Sequence, residues 1–99
     1  MAPFFYNLGC AYWMLGQYEE AISICKEGLK RNPDDMFTHM ALAVSYIETG
    51  NVEEAHTSAA EVLRINPKVS LDWLAKMLPW KNKDQVARWI DDLREAGLK

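Results

Sequence analysis

The fold is decided by a stretch that occurs twice in the chain. Residues 6–22 read YNLGCAYWMLGQYEEAI, and residues 40–56, which begin 34 positions later, read MALAVSYIETGNVEEAH. The two copies align without a gap, and an Asn-Pro pair follows each of them, at 32–33 and at 66–67. A repeat of this length indicates an array of similar supersecondary units that stack on one another.

Each unit is predicted to be a pair of helices. Apolar residues recur at helical spacing. Glycine follows the first helix of each unit, and the Asn-Pro pair follows the second, because proline cannot continue a helix. The glycines are expected to adopt a backbone conformation that a β-carbon disfavours. With the tail included, the predicted helices are 3–15, 18–31, 36–49, 52–65, 70–78 and 83–96.

This pattern resembles the tetratricopeptide repeat (TPR) family. The residues that carry the resemblance are Leu8, Gly9, Tyr12, Gly16, Ala21 and Pro33 in the first unit and Leu42, Tyr46, Gly50, Ala55 and Pro67 in the second. The resemblance implies an all-α fold, a TPR superhelix of three antiparallel helix pairs. The single domain 1–99 would comprise repeat one (2–35), repeat two (36–69) and a divergent capping helix pair (70–99).

The tail departs from the repeat, since Asp84 replaces the turn glycine and Pro79 shortens the first helix. Its last helix keeps the repeat phase, so Trp89, Ile90 and Leu93 are expected to dock on helix 52–65. Asp91 and Asp92 are predicted to form a solvated helix face. Segments such as INP at 65–67, PWK at 79–81 and LREAGL at 93–98 also resemble the C-terminal TPR region of bacterial class III adenylate or guanylate cyclase-type signalling proteins. That likeness implies that the chain is a C-terminal piece of such a protein.

The first helix of each unit lacks charge, with no charged residue in 1–18 or in 36–47. A helix that is apolar all round is buried all round, and its own repeat covers only part of it. In the TPR family these helices line a concave groove for ligands, so the resemblance implies an interaction groove at the residues left over. They are Tyr6, Cys10, Trp13, Met14, Phe37, Met40, Val44 and Ile47. The alternative is extra core, covered by the tail folding across it.

Composition excludes several classes of function. The net charge of −3 argues against nucleic acid as a partner, and the apolar start is too short and interrupted to span a membrane. The two cysteines and two histidines form no metal-binding or catalytic motif. We therefore expect no catalytic residues, no metal, no cofactor and no small-molecule substrate.

The expected function is protein–protein interaction or assembly by a cytoplasmic, non-catalytic scaffold. Exposed apolar surface of this size usually marks an interface, and two-fold pairing is the commonest way of covering it. We expect a homodimer that self-associates through the apolar first helices. The alternative is a groove that recognises a helix or peptide of a different protein, within an accessory domain of a bacterial signalling protein such as a nucleotide cyclase.

Overall fold

Six α-helices account for the regular structure of the computed structural model, which describes residues 3–99 and their side chains from Phe5 onward. They are α1 (Pro3–Met14), α2 (Tyr18–Arg31), α3 (Met36–Glu48), α4 (Val52–Ile65), α5 (Leu71–Met77) and α6 (Lys83–Ala96). No strand occurs among these residues, which confirms the all-α prediction. The predicted start of repeat one at residue 2 lies outside the described residues.

The repeat punctuation produces the expected helix ends. Gly16 and Gly50 follow α1 and α3 with φ angles of 79° and 82°, which confirms the left-handed conformation predicted for both positions. Asp35 begins α3, because its carboxylate accepts hydrogen bonds from the backbone N–H of Phe37 (3.2 Å) and from the hydroxyl of Thr38 (2.7 Å). Such a cap satisfies backbone donors that the first turn leaves free.

Helices α1 to α4 pack as two successive hairpins, with α1 against α2, α2 against α3 and α3 against α4. The helices of the two repeats approach closely at Gly9. A β-carbon there would lie 2.7 Å from Sγ of Cys25 and 3.3 Å from Cβ of Ala41. The role expected of Gly9, which is to let helices approach, therefore agrees with the contacts that surround it. Gly28 has a similar role, since its β-carbon would meet Cβ of Phe5 at 2.5 Å.

The tail folds back across the first helices. Helix α6 packs against α3, and it also contacts α4 and α5. Its C-terminal end borders α4, where Ala96 and Gly97 share a shallow pocket with Ala59. The last helix contacts helix 52–65 as expected, but the ring of Trp89 packs on α1, where it lies 5.0 Å from that of Trp13. The resulting fold measures 29 × 29 × 28 Å.

A difference in side-chain size accounts for the packing of Trp89 against α1. The buried face of α4 consists of small residues such as Ala55 and Ala59, whereas the stripe on α1 and α3 presents larger groups such as Trp13 and Met40. More apolar area is removed from water when a large aromatic ring covers that stripe.

A backbone hydrogen bond also holds the end of the tail in place, because the N–H of Leu71 donates to the carbonyl of Lys99 at 2.9 Å.

Candidate functional site

The eight residues predicted to form the interaction groove come together on one side of the molecule's core. Four of them are buried, with exposed fractions of 6% for Cys10, 0% for Trp13, 1% for Met40 and 0% for Val44. The others are partly buried and pack against the same cluster: Tyr6, Met14, Phe37 and Ile47. We call this side of α1 and α3 the concave face. Within one chain it is not an open surface, because α6 covers it.

Trp89 is the aromatic anchor of α6 on the concave face. Its ring meets Trp13 at 5.0 Å with an interplanar angle of 88°, and Trp80 at 5.1 Å with an angle of 84°. Tyr6 adds a third edge-to-face contact at 6.3 Å. Edge-to-face pairs place the positive ring edge against the negative ring face, so they are directional as well as apolar. Trp89 is only 1% exposed as a result.

Polar groups from four helices meet beside this anchor. The indole N–H of Trp13 in α1 donates to Oδ2 of Asp92 in α6 at 3.3 Å. Arg88, also in α6, binds Glu48 of α3 through Nε and Nη2, each at 3.0 Å. Its guanidinium also donates to the hydroxyl of Tyr18 in α2 and lies 4.8 Å above the ring of Trp13. We call these five residues the polar cluster.

The pKa values of the two carboxyl groups in the polar cluster are shifted in opposite directions. Burial, followed by the hydrogen bond and the negative charge of Glu48, raises the pKa of Asp92 to about 8. Burial also acts to raise the pKa of Glu48, but hydrogen bonds from Arg88 and Asp92 outweigh it, so that pKa is lowered. The hydrogen bond to Glu48 raises the pKa of Arg88. At neutral pH, Asp92 is therefore a neutral donor to an anionic Glu48 that pairs with Arg88.

Sequence reasoning missed the polar cluster. The prediction that Asp91 and Asp92 form a solvated face is wrong for Asp92, which is only 6% exposed. A signal was present, since Asp92 lies three residues after Trp89 and four before Ala96, on the same helical face. An acidic residue between two core positions needs a buried partner, and here Trp13 and Glu48 provide it.

The cysteines and histidines sit in packing or surface positions. Burial raises the pKa of the Cys10 and Cys25 thiols to about 12, which leaves little of the reactive thiolate at neutral pH. His39 is buried and its Nε2 lies 2.8 Å from the carbonyl of Pro33, whereas His56 is exposed. Among the described residues, no three His, Cys, Asp or Glu side chains group together as a metal site.

An apolar cleft opens at one end of the concave face. Its volume is about 410 Å³, and its lining is Tyr6, Asn7, Asp35, Phe37, Met77, Leu78 and Pro79. The two aromatic rings of this lining lie 5.5 Å apart. The nearby face of α5 also exposes Trp73, at 47%. The connection between α5 and α6 thus leaves part of the concave face open at this end.

Comparisons with known proteins agree with the repeat geometry. Tetratricopeptide repeat profiles match residues 2–35 and 38–69, about two thirds of the chain. A TPR repeat-containing protein of Methanocaldococcus jannaschii is 33% identical over 60 residues, which are 61% of this chain and 11% of that protein. In residues 3–99, no helix has the length and apolar character needed to cross a membrane. The chain belongs to the tetratricopeptide repeat family, whose repeats mediate protein–protein interaction.

Proposed function

We propose that this chain is a non-catalytic assembly module whose concave face binds an amphipathic helix. The observation that carries the proposal is the position of α6, which lies across α3 with Trp89 against Trp13 of α1. The first helices thus present a surface against which a helix packs closely. Residues of the predicted interaction groove contribute to that surface, since Trp13 is fully buried and contacts Trp89 and Asp92 of α6.

The side chains of α6 describe the kind of helix that the face accepts. An aromatic ring must enter the space between Tyr6 and Trp13. A basic residue just before it must reach Glu48, and a hydrogen-bond acceptor three positions later must meet the indole N–H of Trp13. Arg88, Trp89 and Asp92 meet these three requirements within little more than one helical turn. The partner class is therefore an amphipathic helix with an Arg-Trp-x-x-Asp pattern or its chemical equivalent.

A second copy of this chain carries the required helix, which favours self-association. Exchange of α6 between two copies would preserve the contacts of α6 with α3, α4 and the ring of Trp13, and would change the connection between Leu78 and Asn82, which includes Trp80. Exchange of an identical element is a low-cost route to a two-fold dimer. In such a homodimer the apolar first helices are covered reciprocally, as the missing charges in residues 1–18 and 36–47 led us to expect.

A helix from a different protein is the second candidate, and the relation to longer proteins favours it. The chain spans 11% of the archaeal relative, and its tail resembles the TPR region that ends certain bacterial signalling proteins. In that setting the domain is an accessory module of a cytoplasmic protein such as a nucleotide cyclase. The partner's helix would replace α6 on the concave face, and the displaced α6 would leave the domain open.

Binding of an added helix tests the proposed function. The probe is a fluorescently labelled peptide of residues 83–99, and the receptor is the full chain with Trp89→Ala, which weakens its own α6. We expect saturable binding by fluorescence anisotropy. The control peptide carries the same Trp89→Ala change and should bind at least tenfold more weakly, a difference of about 1.4 kcal/mol. Equal binding of both peptides, or none by a receptor that circular dichroism shows to be folded, would contradict the proposal.

The mass of the wild-type chain in solution separates the two candidates. Light scattering should give twice the 11.4 kDa chain mass at high micromolar concentration if α6 is exchanged between copies. A labelled peptide of residues 83–99 should then convert the dimer into a peptide-bound monomer. A chain that stays monomeric at every concentration and still binds the peptide would reject self-association and favour a different protein as partner.

A further inference from the structure

We propose that Asp92, Glu48 and Arg88 form a proton-operated latch, which holds α6 on the concave face and releases it as the pH rises. The inference concerns how α6 leaves the face. The inference rests on the proposed function in one respect only, which is the kind of partner that binds the concave face after α6 has left. The apolar contacts of Trp89 do not depend on pH, whereas the latch supplies a contribution that does.

The geometry places one ionisable group at the centre of the contact between α6 and the other helices. Asp92 is 6% exposed and receives the indole N–H of Trp13. Charged and titratable groups face it from three elements: Glu48 from α3, Arg88 from its own helix, and Tyr18 from α2 through Arg88. The carboxyl groups of Asp92 and Glu48 cannot both carry charge here at low cost, because like charges in a desolvated site repel strongly.

The proton bound between Asp92 and Glu48 determines whether a rise in pH closes or opens the latch. On the concave face Asp92 keeps its proton to about pH 8, whereas a solvated aspartate loses it near its ordinary pKa of 3.8. Once α6 leaves, Asp92 is solvated, so between these two values the closed state binds one more proton than the open state. The latch therefore contributes fully near pH 4 and loses its contribution progressively until about pH 8.

The ionisation of Glu48 limits the pH range in which closure of α6 depends on the proton of Asp92 alone. Its pKa is lowered from 4.5 in the closed state, so its anion favours closure once the pH exceeds that value. Above about pH 4.5 Glu48 is ionised in both states, so within this pair of carboxyl groups only the proton on Asp92 differs between them. Linkage then gives a decrease of about tenfold per pH unit in the ratio of closed to open chains.

Hydrogen exchange of the full chain at several pH values tests the latch. Amide protection in α6 is measured at each pH and corrected for intrinsic exchange rates. In the wild type the protection of α6 should fall about tenfold per pH unit towards pH 8. Asp92→Asn should remove this slope, because the amide accepts from Trp13 and donates to Glu48 at every pH.

The matched control is Asp91→Asn, since Asp91 is the neighbouring carboxylate but is 71% exposed and pairs with Arg94. It should keep the wild-type slope. A wild type without a slope, or Asp92→Asn with the wild-type slope, would overturn the latch. If Asp92→Asn fails to fold, the ¹³C carboxyl titration of wild-type Asp92 decides: a midpoint near 8 supports the latch, and one near 3.8 overturns it.

A labelled peptide of residues 83–99 with Asp92→Asn, which needs no proton in order to bind, distinguishes failure of the latch from failure of the proposed function. Wild-type protein should bind this peptide more tightly as the pH rises, because its own α6 is released more often. Peptide binding without any dependence on pH would overturn the latch while the helix-binding function stands. A pH-dependent release of α6 without peptide binding would support the latch and contradict the function.

Discussion

The indole N–H of Trp13 and the carboxyl group of Asp92 form a 3.3 Å hydrogen bond between residues 79 positions apart. This contact fixes the register of α6 on the concave face. Sliding α6 by one turn would move the carboxyl group against apolar side chains and would leave the indole N–H without its acceptor. An unsatisfied buried polar group costs about 1–3 kcal/mol. The hydrogen bond therefore favours this register of α6 over registers in which only the apolar contacts would be kept.

Trp89→Ala is predicted to destabilise the chain strongly. Trp89 is 1% exposed and contacts three other aromatic rings, and truncation of a buried Trp costs about 3–5 kcal/mol. Chemical denaturation followed by far-ultraviolet circular dichroism measures the loss. The matched control is Trp73→Ala, whose side chain is 47% exposed and whose loss should stay below about 1 kcal/mol. Equal losses would mean that α6 does not anchor through Trp89.

Gly50→Val is predicted to cost more than about 1 kcal/mol of stability, because a β-branched residue is strained at positive φ. The φ angle of Gly50 is 82°, and, its chain neighbours apart, no atom lies within 4 Å of the position that its β-carbon would take. The expected cost is therefore one of backbone conformation. Gly50→Asn is the control, since Asn tolerates this conformation and should cost less. Similar midpoints for the two variants would argue against backbone strain as the cause.

The helical repeats could be predicted because their signals are local and occur twice. Gly16 and Gly50 mark helix ends through their own backbone conformation. Pro33 and Pro67 follow helix ends because proline cannot continue the helix that precedes it. The 34-residue offset also fixes which helices pair, since units of one type stack in one way. None of these inferences needs knowledge of a distant contact, and the observed helix bounds differ from the predicted ones by no more than one residue at every end.

The placement of α6 could be predicted only in part, because it depends on a competition between two surfaces. The repeat phase of Trp89 favoured docking on α4, while the uncharged faces of α1 and α3 required a cover. Periodicity within one helix does not say which of two apolar surfaces gains more from a given side chain. Asp92 shows the same limit, since its burial becomes favourable only where Trp13 and Glu48 happen to meet it.

Gly9→Ala is predicted to destabilise the chain although alanine favours helix formation. Overpacking costs about 1–3 kcal/mol, more than the gain in helix propensity of about 1 kcal/mol. The new β-carbon would lie 2.7 Å from Sγ of Cys25. Combining Gly9→Ala with Cys25→Ala removes that sulfur. The double variant should therefore lose less stability than the sum of the losses in the two single variants. Simple additivity in this double-mutant cycle would show that the clash lies elsewhere, with Ala41.

Glu48→Gln is predicted to lower the pKa of Asp92 from about 8. Glu48 raises that pKa through a hydrogen bond and through its negative charge. Gln keeps an acceptor but removes the charge, and it also leaves Arg88 without its carboxylate partner, free to stabilise an anionic Asp92. Burial persists, so the pKa should remain above 3.8. A ¹³C carboxyl titration measures the change, with the exposed Glu54→Gln as the control that leaves Asp92 unaffected.

The same substitution should move the pH range in which α6 is released. With a lower pKa, Asp92 loses its proton earlier, so the protection of α6 stops falling at a lower pH than in the wild type. The slope below that point stays near tenfold per pH unit, because one proton is still involved. An unchanged Asp92 pKa in Glu48→Gln would mean that burial alone raises it. The charge of Glu48 would then have no part in holding α6 on the concave face.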